Sequence, residues 1–148
     1  MEFSAFSECV EKAKAEHPIW FKGEREVPAT ESELRQFEKH CACALPAAFR
    51  QFALNHGFGH FGFVSVLSIR AGEASILQPA KYLGELAHRY LPVSENGCGD
   101  FYAFEIKNGA CSETLYFLDH EQAYAAVPTR FRNFLAFVAE EGLRRCEQ

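Results

Sequence analysis

The glycine-rich stretch NHGFGHFGFV, from Asn55 to Val64, constrains the fold more than any other part of the sequence. Gly57, Gly59 and Gly62 have the G-x-G-x-x-G spacing of dinucleotide-binding loops, which must follow a strand and open a helix. Here the glycines follow a helical pattern and precede GFVSVLSI, whose β-branched and apolar residues are typical of a strand. Because this order is the reverse of the required one, we interpret the glycines as a loop after a helix and predict no nucleotide cofactor.

Helical patterns fill the first part of the chain. One amphipathic helix is predicted to end before Pro18. A second begins at Thr30, where Thr30 and Glu33 have the spacing of a capping box. A third is predicted to begin at Pro46, which suits a first helical turn, and to end at Gly57.

The second half of the chain alternates strand patterns with turns. LPVSENGCGDFYAFEI predicts two strands about a turn at Asn96 and Gly97, and KNGACSE predicts a loop into a third strand, TLYFLDH. Pro79 is predicted to open a helix that continues to Tyr90, and Thr129 to cap the last helix. Consecutive strands with short connections pair antiparallel. The sequence therefore predicts an α+β fold, with helices packed on a mainly antiparallel or mixed sheet of four to six strands.

Length and composition indicate one globular domain over residues 1–148. Hydrophobic residues make up 48% of the chain and include 15 phenylalanines, which is enough to build a packed core. No apolar run approaches the roughly 20 residues that cross a bilayer. Glu2 stands where a signal peptide carries a basic residue, so we expect a cytoplasmic protein with no membrane partner.

The net charge limits the class of partner, and the cysteine content indicates the redox compartment. The net charge of −5 argues against direct binding of nucleic acid, which requires a basic face, and is compatible with a basic protein partner. The six cysteines are expected to be free thiols in a reducing compartment.

The cysteines and histidines raise two possibilities, a metal site and a catalytic nucleophile. His40, Cys41 and Cys43 lie together, but structural zinc sites use a second ligand pair, and the other cysteines (Cys9, Cys98, Cys111 and Cys146) are scattered singly. We therefore predict no metal site. Cys98 lies in a glycine-rich turn beside acidic residues, which disfavour the thiolate that a nucleophile requires. We predict no catalytic residues, and a hydrolase that depends on a cysteine or a carboxylate is the alternative.

Five segments together resemble the SUKH superfamily, the SMI1/KNR4-like proteins. In chain order they are TESELRQFEKH, LPAAFRQFALNHGFG, LPVSENGCGDFYAFEI, TLYFLDHE and FRNFLAFV, which span about Thr30 to Val138. One departure is that His56 separates Asn55 from Gly57, which many members join directly. The resemblance implies an α+β fold and, in bacterial members, an immunity role in which the protein binds and neutralises a cognate toxin, often a nuclease. A regulatory or scaffold module is the alternative, and neither role needs catalysis.

A toxin that binds phosphates carries a basic surface, so an acidic face is the expected binding surface of an immunity protein. The strand-and-turn half supplies acids for such a face, and aromatic neighbours can anchor a contact. Asp100 is also expected to cap amides of its own turn. The predicted partner-binding residues are Glu95, Asp100, Tyr102, Glu105, Glu113, Tyr116, Asp119 and Glu121.

Overall fold

The computed structural model describes residues 1–144, so Cys146 lies outside the described residues. Within them the helices are Phe3–Glu16 (α1), Glu31–Cys41 (α2), Ala47–His56 (α3), Ala80–Leu83 (α4) and Phe134–Phe137 (α5). The strands are Arg25–Glu26 (β1), Phe58–Phe61 (β2), Val64–Val66 (β3), Tyr90–Glu95 (β4), Phe101–Lys107 (β5), Ala110–Leu118 (β6) and Ala126–Pro128 (β7). In the described chain, no helix has the length and apolarity to cross a membrane.

The strands form one sheet in chain order, from β1 to β7, and each pairs antiparallel with the next. This confirms the α+β class and the mainly antiparallel sheet. The strand count within residues 1–144 is seven, above the predicted four to six. Two of the additional strands, β1 and β7, are only two and three residues long, too short to leave an alternating pattern in the sequence.

The main core lies between one face of the sheet and the helices α1, α2, α3 and α5. Ring centroids of Phe49 and Phe134 are 5.0 Å apart, and those of Phe52 and Phe61 are also 5.0 Å apart. Each such side chain stabilises the fold by roughly 1.5–3 kcal/mol through burial. The fully buried phenylalanines are Phe6, Phe49, Phe52, Phe58, Phe61, Phe104, Phe134 and Phe137.

The opposite face of the sheet carries a smaller apolar cluster under α4 and the 3-10 turn that follows it, Gly84–His88. Its buried members are Leu83, Tyr90, Phe101, Ala103 and Leu118. Here the helix predicted from Pro79 to Tyr90 is wrong at its end. Gly84 adopts a left-handed conformation with φ 57° after only one turn of helix, and Tyr90 begins β4 instead.

The start of α2 confirms the predicted capping box. Thr30 Oγ1 accepts a hydrogen bond from the Glu33 amide, and the Glu33 carboxylate accepts one from the Thr30 amide. The same carboxylate receives two hydrogen bonds from the Arg70 guanidinium, at 2.8 and 3.0 Å. Arg70 therefore lowers the pKa of Glu33 to about 2 and links the start of α2 to the chain that follows β3.

The glycine stretch follows α3 and precedes a strand, as predicted, but it is not a loop. Gly57 ends α3, Gly59 lies within β2, and Gly62 begins the tight turn into β3. A Cβ atom on Gly57 would lie 2.1 Å from the Glu26 carbonyl oxygen. These glycines thus allow close backbone approach between β1 and β2, and between the β2–β3 turn and Gly142.

Two further boundaries differ from the prediction. Thr129 does not cap the last helix, because its hydroxyl donates to the Leu115 carbonyl at 2.8 Å, and Asn133 caps α5 by accepting from the Ala136 amide. The helix then widens into a π-helical segment, Val138–Gly142. Strand β6 begins at Ala110, so the loop predicted over KNGACSE contracts to the turn at Asn108 and Gly109.

His56, the last residue of α3, packs among aromatic rings of the main core. Its ring centroid lies 5.1 Å from that of Phe61 and 5.2 Å from that of Phe52. Its Nε2 atom is buried and has no hydrogen-bond partner within the described residues. Burial, together with the positive charges of Lys14 and Arg25, lowers the pKa of His56 to about 4.

We predict that His56 makes the fold acid-sensitive. The unfolded chain binds a proton at His56 below about pH 6.5, while the folded chain resists it until about pH 4. Its contribution is therefore complete above pH 6.5 and falls as the pH drops, by about 2 kcal/mol between pH 7.5 and pH 5. Urea unfolding of the wild type and of His56→Leu at both pH values measures this loss.

The variant should show less destabilisation at pH 5 than the wild type. His40→Leu is the matched control, since His40 is exposed, and it should keep the wild-type pH dependence. Equal pH dependence in His56→Leu and the wild type would contradict the prediction.

Candidate functional site

Three adjoining depressions on the surface share one side chain, Glu95, at the end of β4. The largest, of about 710 Å³, is called the Glu95 cleft below. Its walls include Glu24, Glu26, Phe63, Ser65 and Asn96. The two smaller depressions have volumes of about 300 and 400 Å³, and Tyr82 lines both of them.

The sheet order explains why these residues meet. Strands β1, β2, β3 and β4 are consecutive neighbours, and Ser65 of β3 lies opposite Glu95 of β4. The β2–β3 turn at Gly62 and Phe63 and the β4–β5 turn at Asn96 and Gly97 thereby reach the same region. Residues that are far apart in the sequence form the cleft because each of these strands pairs with the next one in the sheet.

Three carboxylates line the cleft, together with the Arg25 guanidinium, which donates to the His56 carbonyl. Glu26 is compensated, because its carboxylate accepts hydrogen bonds from Arg70 at 3.2 Å and from the Ser68 hydroxyl at 2.7 Å. Glu24 and Glu95 are exposed, and within residues 1–144 neither carboxylate forms an ion pair. These two carboxylates are available to a cationic group that enters the cleft.

Exposed aromatic side chains border the acidic walls. Phe63 is 53% exposed and its ring lies edge-on to Trp20, with centroids 4.9 Å apart. The Arg144 guanidinium lies 4.6 Å from the Phe63 ring centroid, so this ring already accepts a cation on its surface. Tyr82 is 60% exposed on the other side of Glu95. Exposed rings beside carboxylates can contact both the apolar stem and the charged end of a basic side chain.

The β4–β5 turn is held by a network around Asp100. Asn96 Oδ1 accepts from the amides of Cys98 and Asp100, so Asn96 performs the turn-capping role expected of Asp100. The buried Asp100 carboxylate instead binds His120, which lies outside the turn. Its Oδ2 accepts from the Asn96 side chain, and its Oδ1 accepts from the His120 amide at 2.9 Å and the His120 ring Nδ1 at 2.6 Å. The network joins the turn to the end of β6.

This contact shifts both titrations. The hydrogen bond from His120, followed by that from Asn96, lowers the pKa of Asp100 to about 2. The same hydrogen bond to Asp100 raises the pKa of His120 above its ordinary value. The pair is therefore charged above the lowered pKa of Asp100 and below the raised pKa of His120. As the pH rises through the raised pKa, His120 loses its proton and the ion pair weakens.

The predicted partner-binding acids divide into two groups. Glu95, Phe101 and Leu118 are cross-strand neighbours, so Glu95 and Asp100 lie near the residues that follow β6, Asp119 and Glu121. Glu105 lies opposite Tyr90, four residues further along β5, which corresponds to roughly 13 Å. Glu113 accepts a hydrogen bond from the Ala47 amide at 2.7 Å and so serves the start of α3.

The two predicted tyrosine anchors lie on opposite faces of the sheet. Tyr102 packs toward the main core, 4.6 Å between ring centroids from Phe137. Tyr116 packs in the smaller cluster, 5.5 Å from the Tyr90 centroid. Both are partly buried. The structure therefore brings together Glu95, Asp100, Asp119 and Glu121, and it separates Tyr102, Glu105, Glu113 and Tyr116 from them.

Two possible reactive groups lie beside this site, a cluster of potential metal ligands and the Cys98 thiol. One ligand atom each from Asp100, Asp119 and His120 lies within 4.8 Å of the others. The short contacts of Asp100 Oδ1 are already satisfied by His120, which accounts for this cluster without an ion. Cys98 is exposed in the same turn, and among residues 1–144 no hydrogen bond joins its thiol to the His120 ring.

Sequence reasoning missed Glu24, Phe63 and Tyr82 as site residues. GFVSVLSI predicts a strand that includes Phe63, although Gly62 before it signals a turn. Glu24 and Tyr82 lie outside the strand-and-turn half that supplies the predicted acids. The sheet order brings Glu24 and Phe63 to Glu95, and the packing of α4 on the sheet through Leu83 brings Tyr82 there.

Together these features define a class: an α+β protein whose antiparallel sheet is covered by helices and carries an acidic, aromatic-lined cleft. A family model described as the SMI1 / KNR4 family (SUKH-1) matches residues 28–140. The match covers well over half of the chain, so this protein belongs to the SMI1/KNR4 family, and the sequence resemblance is confirmed. No match was found among curated proteins.

We predict that the raised pKa of His120 depends on Asp100. In wild type, the His120 ring signals followed by NMR should titrate above pH 6.5, well apart from those of His56 near pH 4. Asp100→Asn removes the carboxylate charge and should return the His120 pKa toward 6.5. Asp119→Asn is the matched control, since Asp119 lies 4.0 Å from His120 and should shift the pKa less. An unchanged His120 titration in Asp100→Asn would exclude the ion pair.

Proposed function

We propose that this chain is a protein-binding module without catalytic activity, and that it acts as an immunity protein that neutralises a toxin domain by direct binding. Membership of the SMI1/KNR4 family supports the binding role, since its members typically bind protein partners. The observation that carries the proposal is the Glu95 cleft, with unpaired carboxylates and exposed aromatic rings at its border.

The chemistry of the cleft favours a basic partner. A nuclease toxin must expose Lys or Arg to hold phosphates, and a cleft that offers Glu24 and Glu95 competes for those side chains. The net charge of −5 adds a long-range electrostatic attraction for the same basic partner. The partner of this proposal is a basic toxin domain, and blocking its phosphate-binding surface is the mode of neutralisation.

We assign the direct contacts to acids and aromatic residues around the cleft: Glu24, Phe63, Tyr82, Glu95, Asp119 and Glu121. Asp100 is assigned a positioning role, because its carboxylate is used by Asn96 and His120. Of the other predicted residues, Glu113 holds the start of α3, and Tyr102 and Tyr116 pack against the two faces of the sheet.

We further infer that residues 1–148 act as one domain. The family match begins at residue 28, after α1. Phe6 and Val10 of α1 are nevertheless fully buried in the same core as Phe52. A partner-binding unit that lacked α1 would expose this part of the core.

Two alternative functions remain to be distinguished from the immunity role. A regulatory or scaffold module would bind a protein other than a toxin. A hydrolase is favoured by one observation, the Asp100–His120 contact beside the exposed Cys98. Replacing Cys98 with Ser separates the classes, because it would abolish activity in a Cys-dependent hydrolase and leave a binding module unaffected.

The proposal expects a gene beside that of this chain to encode a basic toxin domain, and the test uses that domain. The absence of such a neighbour would favour the regulatory or scaffold module. Co-expression of the wild type and of Cys98→Ser should protect cells from that toxin equally, and both purified proteins should bind it. Failure to bind and to protect would contradict the immunity role. Protection that requires Cys98 would favour the hydrolase.

We predict that acids steer the association. Because the attraction between exposed charges is screened by salt, raising the NaCl concentration from about 50 to about 500 mM should lower the on-rate by roughly tenfold. Charge reversal in the double variant Glu95→Lys with Glu121→Lys should slow association by a similar factor at low salt. Stopped-flow measurement with the toxin domain gives both rates.

A matched double variant, Glu8→Lys with Glu11→Lys, makes the same change in net charge on the exposed side of α1. It should slow association much less than the Glu95 and Glu121 reversals. Circular dichroism confirms that both variants are folded. A salt-independent on-rate, or equal effects of the two variants, would remove the acidic-cleft model.

A further inference from the structure

Cys43 and Cys111 face each other across the interface between the helices and the sheet. Their Sγ atoms are 3.6 Å apart, although 68 positions separate the two residues in the sequence. Cys43 lies in the connection between α2 and α3, and Cys111 lies near the start of β6. Both are free thiols in this structure.

The backbone on either side of the pair is fixed. The Ala44 amide donates to the Gly109 carbonyl at 2.8 Å, and the Cys111 amide donates to the Ala44 carbonyl at 2.9 Å. On the other side, the Cys43 amide donates to the Glu38 carbonyl at the end of α2. These hydrogen bonds hold the two sulfur atoms together in the folded state without a covalent link.

We propose that Cys43 and Cys111 form a reversible disulfide when the protein meets a peroxide. The hydrogen bond from the Cys111 thiol lowers the pKa of Cys43, which assigns the attacking thiolate to Cys43. The thiolate attacks one peroxide oxygen and the O–O bond breaks, which gives a sulfenic acid and hydroxide. The hydroxide takes up the proton that Cys43 released on ionising and becomes water.

Cys111 then attacks the sulfenic sulfur, and the S–O bond breaks as the S–S bond forms. The thiol proton leaves with the hydroxyl group as a second water. Overall, two thiols and one hydrogen peroxide give one disulfide and two waters, with two electrons passing from sulfur to the peroxide. A dithiol reductant reverses the change.

The bond would attach the α2–α3 connection covalently to β6. Because it closes a long loop in the unfolded chain, the oxidised protein should be more resistant to unfolding. Cys41 is the nearest competing thiol. Burial, together with the nearby Cys43, raises its pKa to about 11, so near neutral pH it forms less of the thiolate that attacks peroxide than Cys43 does.

The test is titration of the whole purified chain with hydrogen peroxide, followed by alkylation in denaturant and intact-mass measurement. The chain has six cysteines, so the alkylated thiols should fall from six to four, and peptide mapping should find Cys43 linked to Cys111. The thermal midpoint of the oxidised protein should rise by roughly 10 °C. Dithiothreitol should restore six thiols and the original midpoint.

Cys111→Ser and Cys43→Ala should each abolish the two-thiol loss and the rise in midpoint, and the second variant also tests the pair if the first fails to fold. Cys41→Ser and the exposed Cys98→Ser are controls that should behave like the wild type. Retention of six thiols, a bond that involves Cys98 or a second molecule, or sulfinic acid in place of the disulfide would overturn the proposal.

Discussion

Burial of phenylalanine between the sheet and the helices is the interaction on which the rest of this structure depends. Phe49 and Phe52 of α3 contact Phe134 of α5, and Phe52 also contacts Phe61 of β2. These contacts fix α3 and α5 on one face of the sheet, whereas the other face carries the smaller apolar cluster under α4. His56 is the polar member of this aromatic cluster, and its burial makes the core sensitive to protons.

Two polar networks hold further segments of the chain together. Arg70 joins the start of α2 to β1 through Glu33 and Glu26, and Asp100 joins the β4–β5 turn to the residues after β6 through His120. Each network neutralises acids on its own part of the surface. The carboxylate that neither network compensates and that all three depressions share is Glu95, so the remaining negative charge is concentrated where the surface is concave.

Local chemistry accounts for what could be predicted from the sequence. The capping box at Thr30, the stop at Gly57 and the antiparallel strand pairs of the second half depend on residues close in the chain, and each is present. The two-residue β1 and the role of Asp100 depend on distant partners, and they could not be predicted. The one-turn α4 ends at a local stop, Gly84, which the helical spacing that continues to Tyr90 concealed. The same distinction applies to the site. The acids of the turns were visible in the sequence, whereas their grouping with Glu24 and Phe63, and the separation of Tyr102 from Tyr116, follow from sheet order and from the two faces of β5 and β6.

Hydrogen–deuterium exchange of this chain, alone and bound to the basic toxin domain that the proposed function expects a neighbouring gene to encode, tests most directly where a partner binds. Amides without a hydrogen bond exchange fast unless they are covered, so Gly62 and Gly97, in the turns at 62–63 and 96–99, report occupation of the Glu95 cleft. The amides of Phe63 and Cys98 are already hydrogen-bonded in the free protein. The account predicts protection of both turns on binding, with little change at the β5–β6 turn of Asn108 and Gly109. Protection confined to Asn108 and Gly109 or to the exposed side of α1, with the two cleft turns exchanging as in the free protein, would contradict it.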